Sequence, residues 1–303
     1  MTPDIAWAWP WWSAMVTVNI INLIVCLTIS RRISRSAGGF SNITDQYQKN
    51  MLVMGLIFTM VGAYRAVFVS RYLYQFAWFD VLANSSLLIR FLAIFAELSF
   101  AGLFVYAMLR FSKDIPSKNQ TNLALNFIES KSPYLLFVCI FTAQFFATTA
   151  TINKNNTLFA IEETLWTVGF LLILPLAFIQ LGRALSVKGE AEKQRTKMLL
   201  TSSKVIFAWC IGYCSYGMFF HLPMDFFSDA ANSTMAVTAA VPVTQAGLAA
   251  VWDAFFIVNE SKEFGDWGFG FLFWHSSYFS ICVWLAIFLM RAPRAEKQEI
   301  LKT

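Results

Sequence analysis

Seven stretches of about twenty residues each, at 11–30, 51–70, 83–108, 133–152, 158–181, 198–222 and 268–290, are almost wholly apolar. At 1.5 Å of rise per residue, such a stretch matches the ~30 Å hydrocarbon core of a bilayer. No water is available there to satisfy a bare peptide group, so each stretch must be a helix. The expected fold is all-α: a polytopic integral membrane protein, built as a seven-transmembrane-helix bundle and forming a single transmembrane domain over residues 1–303. Composition supports this. Of 303 residues, 57% are hydrophobic and 14% charged, against roughly a quarter charged in soluble proteins. A soluble enzyme, a nucleic-acid binder and a disordered chain all need more charge than this, so no nucleic-acid partner is expected.

The placement of positive charge orients the bundle. The segments 31–50, 109–132, 182–197 and 291–303 hold 17 of the 23 Lys and Arg residues, among them Arg31, Arg32, Arg110, Lys193 and Arg294. Basic loops resist translocation, so these segments are expected in the cytoplasm, with the N-terminus outside. An eighth apolar segment, 235–258, carries only Asp253 as a charge and is interrupted by Pro242 and Gly247. As an eighth span it would put the basic C-terminal segment outside. It is therefore expected to be an external or re-entrant helix, within an outer lid segment over 223–267. The expected location is the cell membrane, multi-pass (the inner membrane in a bacterium), with the lipid bilayer as the first partner.

Several features read as structural. The first span has no basic residue before it and Arg31–Arg32 after it, the reverse of a cleaved signal peptide. Trp7, Trp9, Trp11, Trp12, Trp78 and Trp267 fall at the outer boundary, where amphipathic rings anchor at headgroup level. The five cysteines all lie inside spans, so no disulfide framework is expected. Cys210, Cys214 and His221 share a helix face, but the step to the histidine is ~16 Å along the axis, too far for one metal ion. Lys204 lies near the inner boundary and can snorkel.

The ionisable groups inside spans carry the functional reading, because each costs at least ~2.5–3.5 kcal/mol at mid-bilayer unless it is paired or hydrated. They are Arg65, Arg90, Glu97, Glu162, Glu163 and His275, with His221 and Asp225 at the outer mouth. Arg90 and Glu97 share a helix face two turns apart, with Ser86, Ala93 and Ala101 near the same stripe. The ~10 Å between them is long for a direct ion pair, so each is expected to find a partner on another helix. By depth, these groups form one layer in the outer leaflet, His275 level with Arg90 and Glu97 as the floor. Such a layer either locks helices together or lines a polar cavity. A cavity would relay protons through carboxylates and histidines, or hold an anionic ligand on the forked guanidiniums of Arg65 and Arg90.

Known chemistries are excluded one by one. A retinal protein needs a Schiff-base lysine in its last span, and 268–290 has none, so no cofactor is expected. The N-P-x-x-Y pattern of G-protein-coupled receptors is absent from that span. Intramembrane zinc hydrolases use three histidines, and this chain has two. No phosphate-binding loop or nucleophile elbow occurs, and no internal repeat marks an inverted-topology transporter. The expected function is transport of a small solute or protons through the cavity. A heptahelical sensor for a lipid or small amphiphile is the alternative, and an intramembrane hydrolase comes third. Enzymatic activity is not the expectation.

Overall fold

The computed structural model describes residues 5–72, 75–115, 123–226 and 247–296, with the backbone alone at 224–226. Among these residues seven helices are long and apolar enough to cross a membrane, which makes the chain a multi-pass membrane protein. They are α1 (Ala8–Ser36), α2 (Gln46–Val67), α3 (Ser86–Asp114), α4 (Leu123–Asn153), α5 (Asn156–Leu185), α6 (Glu190–Tyr216, prolonged as a π-helix over Gly217–Phe226) and α8 (Phe264–Leu289). Between the last two lies α7 (Leu248–Phe256), whose nine residues cover only ~13.5 Å. That is too short to cross. The candidate segment 235–258 is thus no eighth span over its described part, and 235–246 lies outside the described residues.

Local chemistry sets the helix ends. The side chains of Asp45, Ser85 and Asn155 accept backbone N–H groups of Tyr47, Leu88 and Leu158, capping α2, α3 and α5. The turn from α4 to α5 is short enough that Lys154 adopts a left-handed φ of 52°, and the two helices form a tight antiparallel hairpin. Expected boundaries shift where loops pair. The second span ends at Val67 rather than 70, because Ser70 and Arg71 belong to a strand.

The helix α3 is the hub: 67% of its apolar window is buried, against 22% for α1 at the periphery. Alanines and glycine at Ala93, Ala96, Ala101 and Gly102 let its neighbours approach. Below Glu97 its Phe100 stacks on Phe58 at 4.8 Å and meets Phe104 at 5.2 Å, which in turn packs edge-on against Phe170. Gln180 on α5 donates to Met108 O (2.8 Å) and Ser112 Oγ (3.0 Å), tying α5 to α3.

The two ends of the bundle differ. At one, residues 291–296 lie across α2, α3 and α6. Arg294 pairs with Asp45 and donates to Gln48, Tyr47 Oη donates to Pro293 O, and the Ala295 and Glu296 amides donate to Asp114 and Arg195 O. At the other end the all-α plan has one small exception. Strand β1 (Ser70–Arg71) pairs antiparallel with β2 (Phe76–Ala77), which pairs parallel with β3 (Asn259–Glu260). A hydrogen bond from Lys262, with a second from the Asp80 amide, holds the Glu260 carboxyl below its usual range against partial burial.

The tryptophans at this end pack on one another. Trp78 and Trp267 are fully buried, and Trp7, Trp11 and Trp267 pack on Trp78 at 6.0, 5.4 and 5.5 Å. The Lys262 ammonium sits 5.0 Å over the Trp78 ring and also donates to its carbonyl. Rings from the start of α1, from residue 78 and from the start of α8 thus gather into a second, smaller core. Only Trp9 keeps a large exposed face.

Candidate functional site

The buried charges meet just inside the sheet-capped end. Arg90 lies one turn into α3 and Glu97 two turns further. Contrary to the expectation of separate partners, they form a forked ion pair: Nη1 donates to Oε1 at 3.1 Å and Nη2 to Oε2 at 2.9 Å. The reason is side-chain reach. Glu97, like every helical side chain, leans toward the N-terminus, and the long arginine curls back to meet it. Partners on other helices are present as well. Gln144 on α4 accepts from Arg90, donates to Glu97 Oε2 at 3.0 Å and donates to Ile140 O. Glu162 on α5 lies 3.5 Å from Arg90, and Arg65 on α2 lies 3.9 Å from Glu97.

Arg65 is held mainly by aromatic neighbours. It donates to Tyr72 Oη at 2.7 Å and stands 4.9 Å over the Phe279 ring and 5.6 Å over that of Tyr278. Burial pushes the Tyr72 phenol above its ordinary value, against the pull of Arg65 and Arg90, so it stays neutral as an acceptor. Neither Gln144 nor Tyr72 was anticipated. A neutral amide in an apolar run is the only trace Gln144 leaves in sequence, and Tyr72 lies in a loop.

Beside this cluster is a cavity of about 260 Å³. Its polar wall includes Arg65, Arg90, Glu97, Glu162, Glu163 and His221, six of the eight residues singled out by sequence. Its apolar wall is aromatic, with Trp166, Trp209, Tyr213, Trp274 and Tyr278 among the lining groups. Two irregular helix segments shape it. His221 comes from the π-helix that prolongs α6, where its Nδ1 lies 3.3 Å from Tyr216 Oη and its Nε2 3.3 Å from Glu163. Tyr278 and Cys282 come from a second π-turn, Tyr278–Cys282, within α8. Such turns interrupt the regular hydrogen-bond ladder and recur at functional sites.

Gly268 breaks α8 with a φ of 69°, and Arg71 caps the freed carbonyls of Asp266 (2.6 Å) and Trp267 (3.2 Å). Gly268 and Gly270 both line the cavity and add no side chain to its wall.

Two of the eight residues are placed elsewhere or not described. His275 is buried, but it does not line the cavity. Its ring lies 4.4 Å from Phe279, 5.3 Å from Phe271 and 5.6 Å from Trp11, and neither nitrogen has a hydrogen bond among the described residues. Depth alone does not fix the face: four residues separate His275 from Phe279, and this side of α8 turns toward α1. The Asp225 side chain lies outside the described residues. Among those residues no cluster of three or more His, Cys, Asp or Glu suits a metal ion, and the five cysteines are free.

The arrangement thus contains both of the alternatives posed by sequence, a helix-locking cluster and an open polar space beside it. The guanidiniums of Arg65 and Arg90 are committed to Glu97, Gln144 and Tyr72. The space itself is bounded by carboxylates, a histidine and aromatic faces. Compared with protein families, with curated proteins and with solved structures, the chain matches none.

Proposed function

We propose that the chain sits in the cell membrane with its N-terminus outside and its C-terminus in the cytoplasm, and that it transports a small solute or protons through this cavity. The observation that carries the reading is a space of about 260 Å³ whose wall gathers ionisable groups from α2, α3, α5 and the end of α6. Arg90 ties α3 to Gln144 on α4 and to Glu162 on α5, and that locking does not require Glu163 and His221 on the cavity wall as well. The cavity lies toward the end opposite the basic segments, hence on the outer side under the positive-inside rule. Its volume falls just below the ~300–1,000 Å³ usual for small-molecule sites, which favours a small occupant.

A second reading is a sensor that binds a lipid or small amphiphile without moving it. The closed floor favours it: beneath Glu97 the rings of Phe58, Phe100 and Phe104 are fully buried. Transport therefore requires the Arg90–Glu97–Gln144 cluster to rearrange. Purified protein in liposomes, loaded with a pH-sensitive dye and offered radiolabelled small amines, carboxylates and polyols, separates the two. Transport predicts flux that Glu97→Gln reduces at least tenfold. Saturable binding with no flux of any kind would leave the sensor.

A further inference from the structure

We infer that the cavity takes a small organic cation, a protonated amine carrying an apolar body, with Glu162 and Glu163 as its acceptors. The inference rests on the reading of this space as a ligand site and names the class of ligand. It follows from which hydrogen-bonding capacity inside the cavity remains unspent.

The cationic side is largely committed. Arg90 makes its fork to Glu97 and a bond to Gln144, and Arg65 bonds Tyr72. Arg65 Nη1 and Arg90 Nε, which lack a hydrogen bond, are themselves buried. Arg71, which also lines the cavity, is turned onto the Asp266 and Trp267 carbonyls. An anionic ligand would have to compete with Glu97 for these donors. Glu97 itself accepts three hydrogen bonds, with both oxygens engaged.

The acidic side is open. Glu162 is only 5% exposed, yet no described residue hydrogen-bonds to it, and its nearest charge is Arg90 at 3.5 Å. Glu163, the next residue, has His221 Nε2 at 3.3 Å as its closest partner. A carboxyl group has several acceptor positions, and both of these side chains line the cavity with most of theirs untaken by the described residues. Two adjacent carboxylates on one wall also repel, and a shared ammonium relieves this while donating to both.

The remaining wall suits the rest of such a molecule. Trp166 lies one turn below Glu162 on α5, next to the stacked pair Trp209 and Tyr213 on α6 (5.5 Å), with the stacked pair Trp274 and Tyr278 (5.2 Å) contributed by α8. Aromatic faces attract a desolvated cation and pack against an apolar body. Arg65 already illustrates this chemistry, standing over Tyr72, Tyr278 and Phe279.

The test uses the full-length protein in nanodiscs and three probes of similar size: 2-phenylethylamine (cation), 3-phenylpropanol (neutral) and phenylacetate (anion). Binding is read by quenching of the cavity tryptophans and by thermal shift. The expected result is saturable binding of the amine, at least tenfold tighter than the other two. Glu162→Gln and Glu163→Gln should each weaken it about tenfold or more, the loss of one charge-assisted bond. The wild-type comparison stands even if one variant fails to fold. Equal or tighter binding of phenylacetate or phenylpropanol overturns the cation assignment while keeping the ligand site. If none of the three binds, both the assignment and the ligand site fall.

Discussion

At the scale of single residues, Arg90 bears the greatest electrostatic burden. It is almost fully buried and faces Glu97 and Glu162 at once, so its loss leaves Glu162 without its nearest cation and Glu97 with only Arg65 at 3.9 Å. Arg90→Met is expected to lower stability by about 3–5 kcal/mol, whereas Arg90→Met with Glu97→Met should regain part of it. Thermal unfolding in detergent measures both. Equal losses in the single and double variants would show that the two side chains are not energetically coupled. Gln144 completes the cluster because an amide can accept from the arginine and donate to the glutamate at the same time, which neither a carboxylate nor a lysine can do.

At the scale of elements, the irregular turns do what regular helices cannot. The π-turn at Tyr278–Cys282 shifts the register of α8, putting Tyr278 against Arg65 and Cys282 on the cavity wall. A π-turn leaves a carbonyl without its normal donor, and Asn22 on α1 supplies one to Phe279 O at 3.2 Å. Asn22 is fully buried, a costly residue in a lipid-embedded helix without such a partner. Asn22→Leu should therefore cost roughly 1–3 kcal/mol. Hydrogen exchange localises the effect: faster exchange is expected in 278–282 and no change in α3 or α5. Uniform acceleration along the whole chain would argue against this specific role.

At the scale of the whole molecule, the two ends face different surroundings. Residues 291–296 strap the basic end, whereas a three-stranded sheet and a tryptophan core cap the end that holds the cavity. The proposed orientation predicts that Glu263→Cys, exposed at the capped end, reacts with a membrane-impermeant maleimide in intact cells. Ser41→Cys, exposed at the other end, should react only after permeabilisation. The reverse pattern would invert the orientation, and with it the side of the membrane on which the cavity lies. Much of this was legible in advance. Seven apolar stretches dictate seven helices, because lipid admits no unsatisfied backbone, and the cost of intramembrane charge points to Arg65, Arg90, Glu97, Glu162, Glu163 and His221 before any contact is seen. What periodicity and depth do not contain is rotation about each helix axis and the reach of long side chains. Those decide that Arg90 meets Glu97 directly and that His275 turns to α1. They also bring Gln144 and Tyr72 into the cluster, and pack the tryptophans on one another. Each of these is a contact between residues far apart in the chain or turns apart on a helix. Their energies depend on which partners the packed bundle offers, so only the tertiary structure decides them.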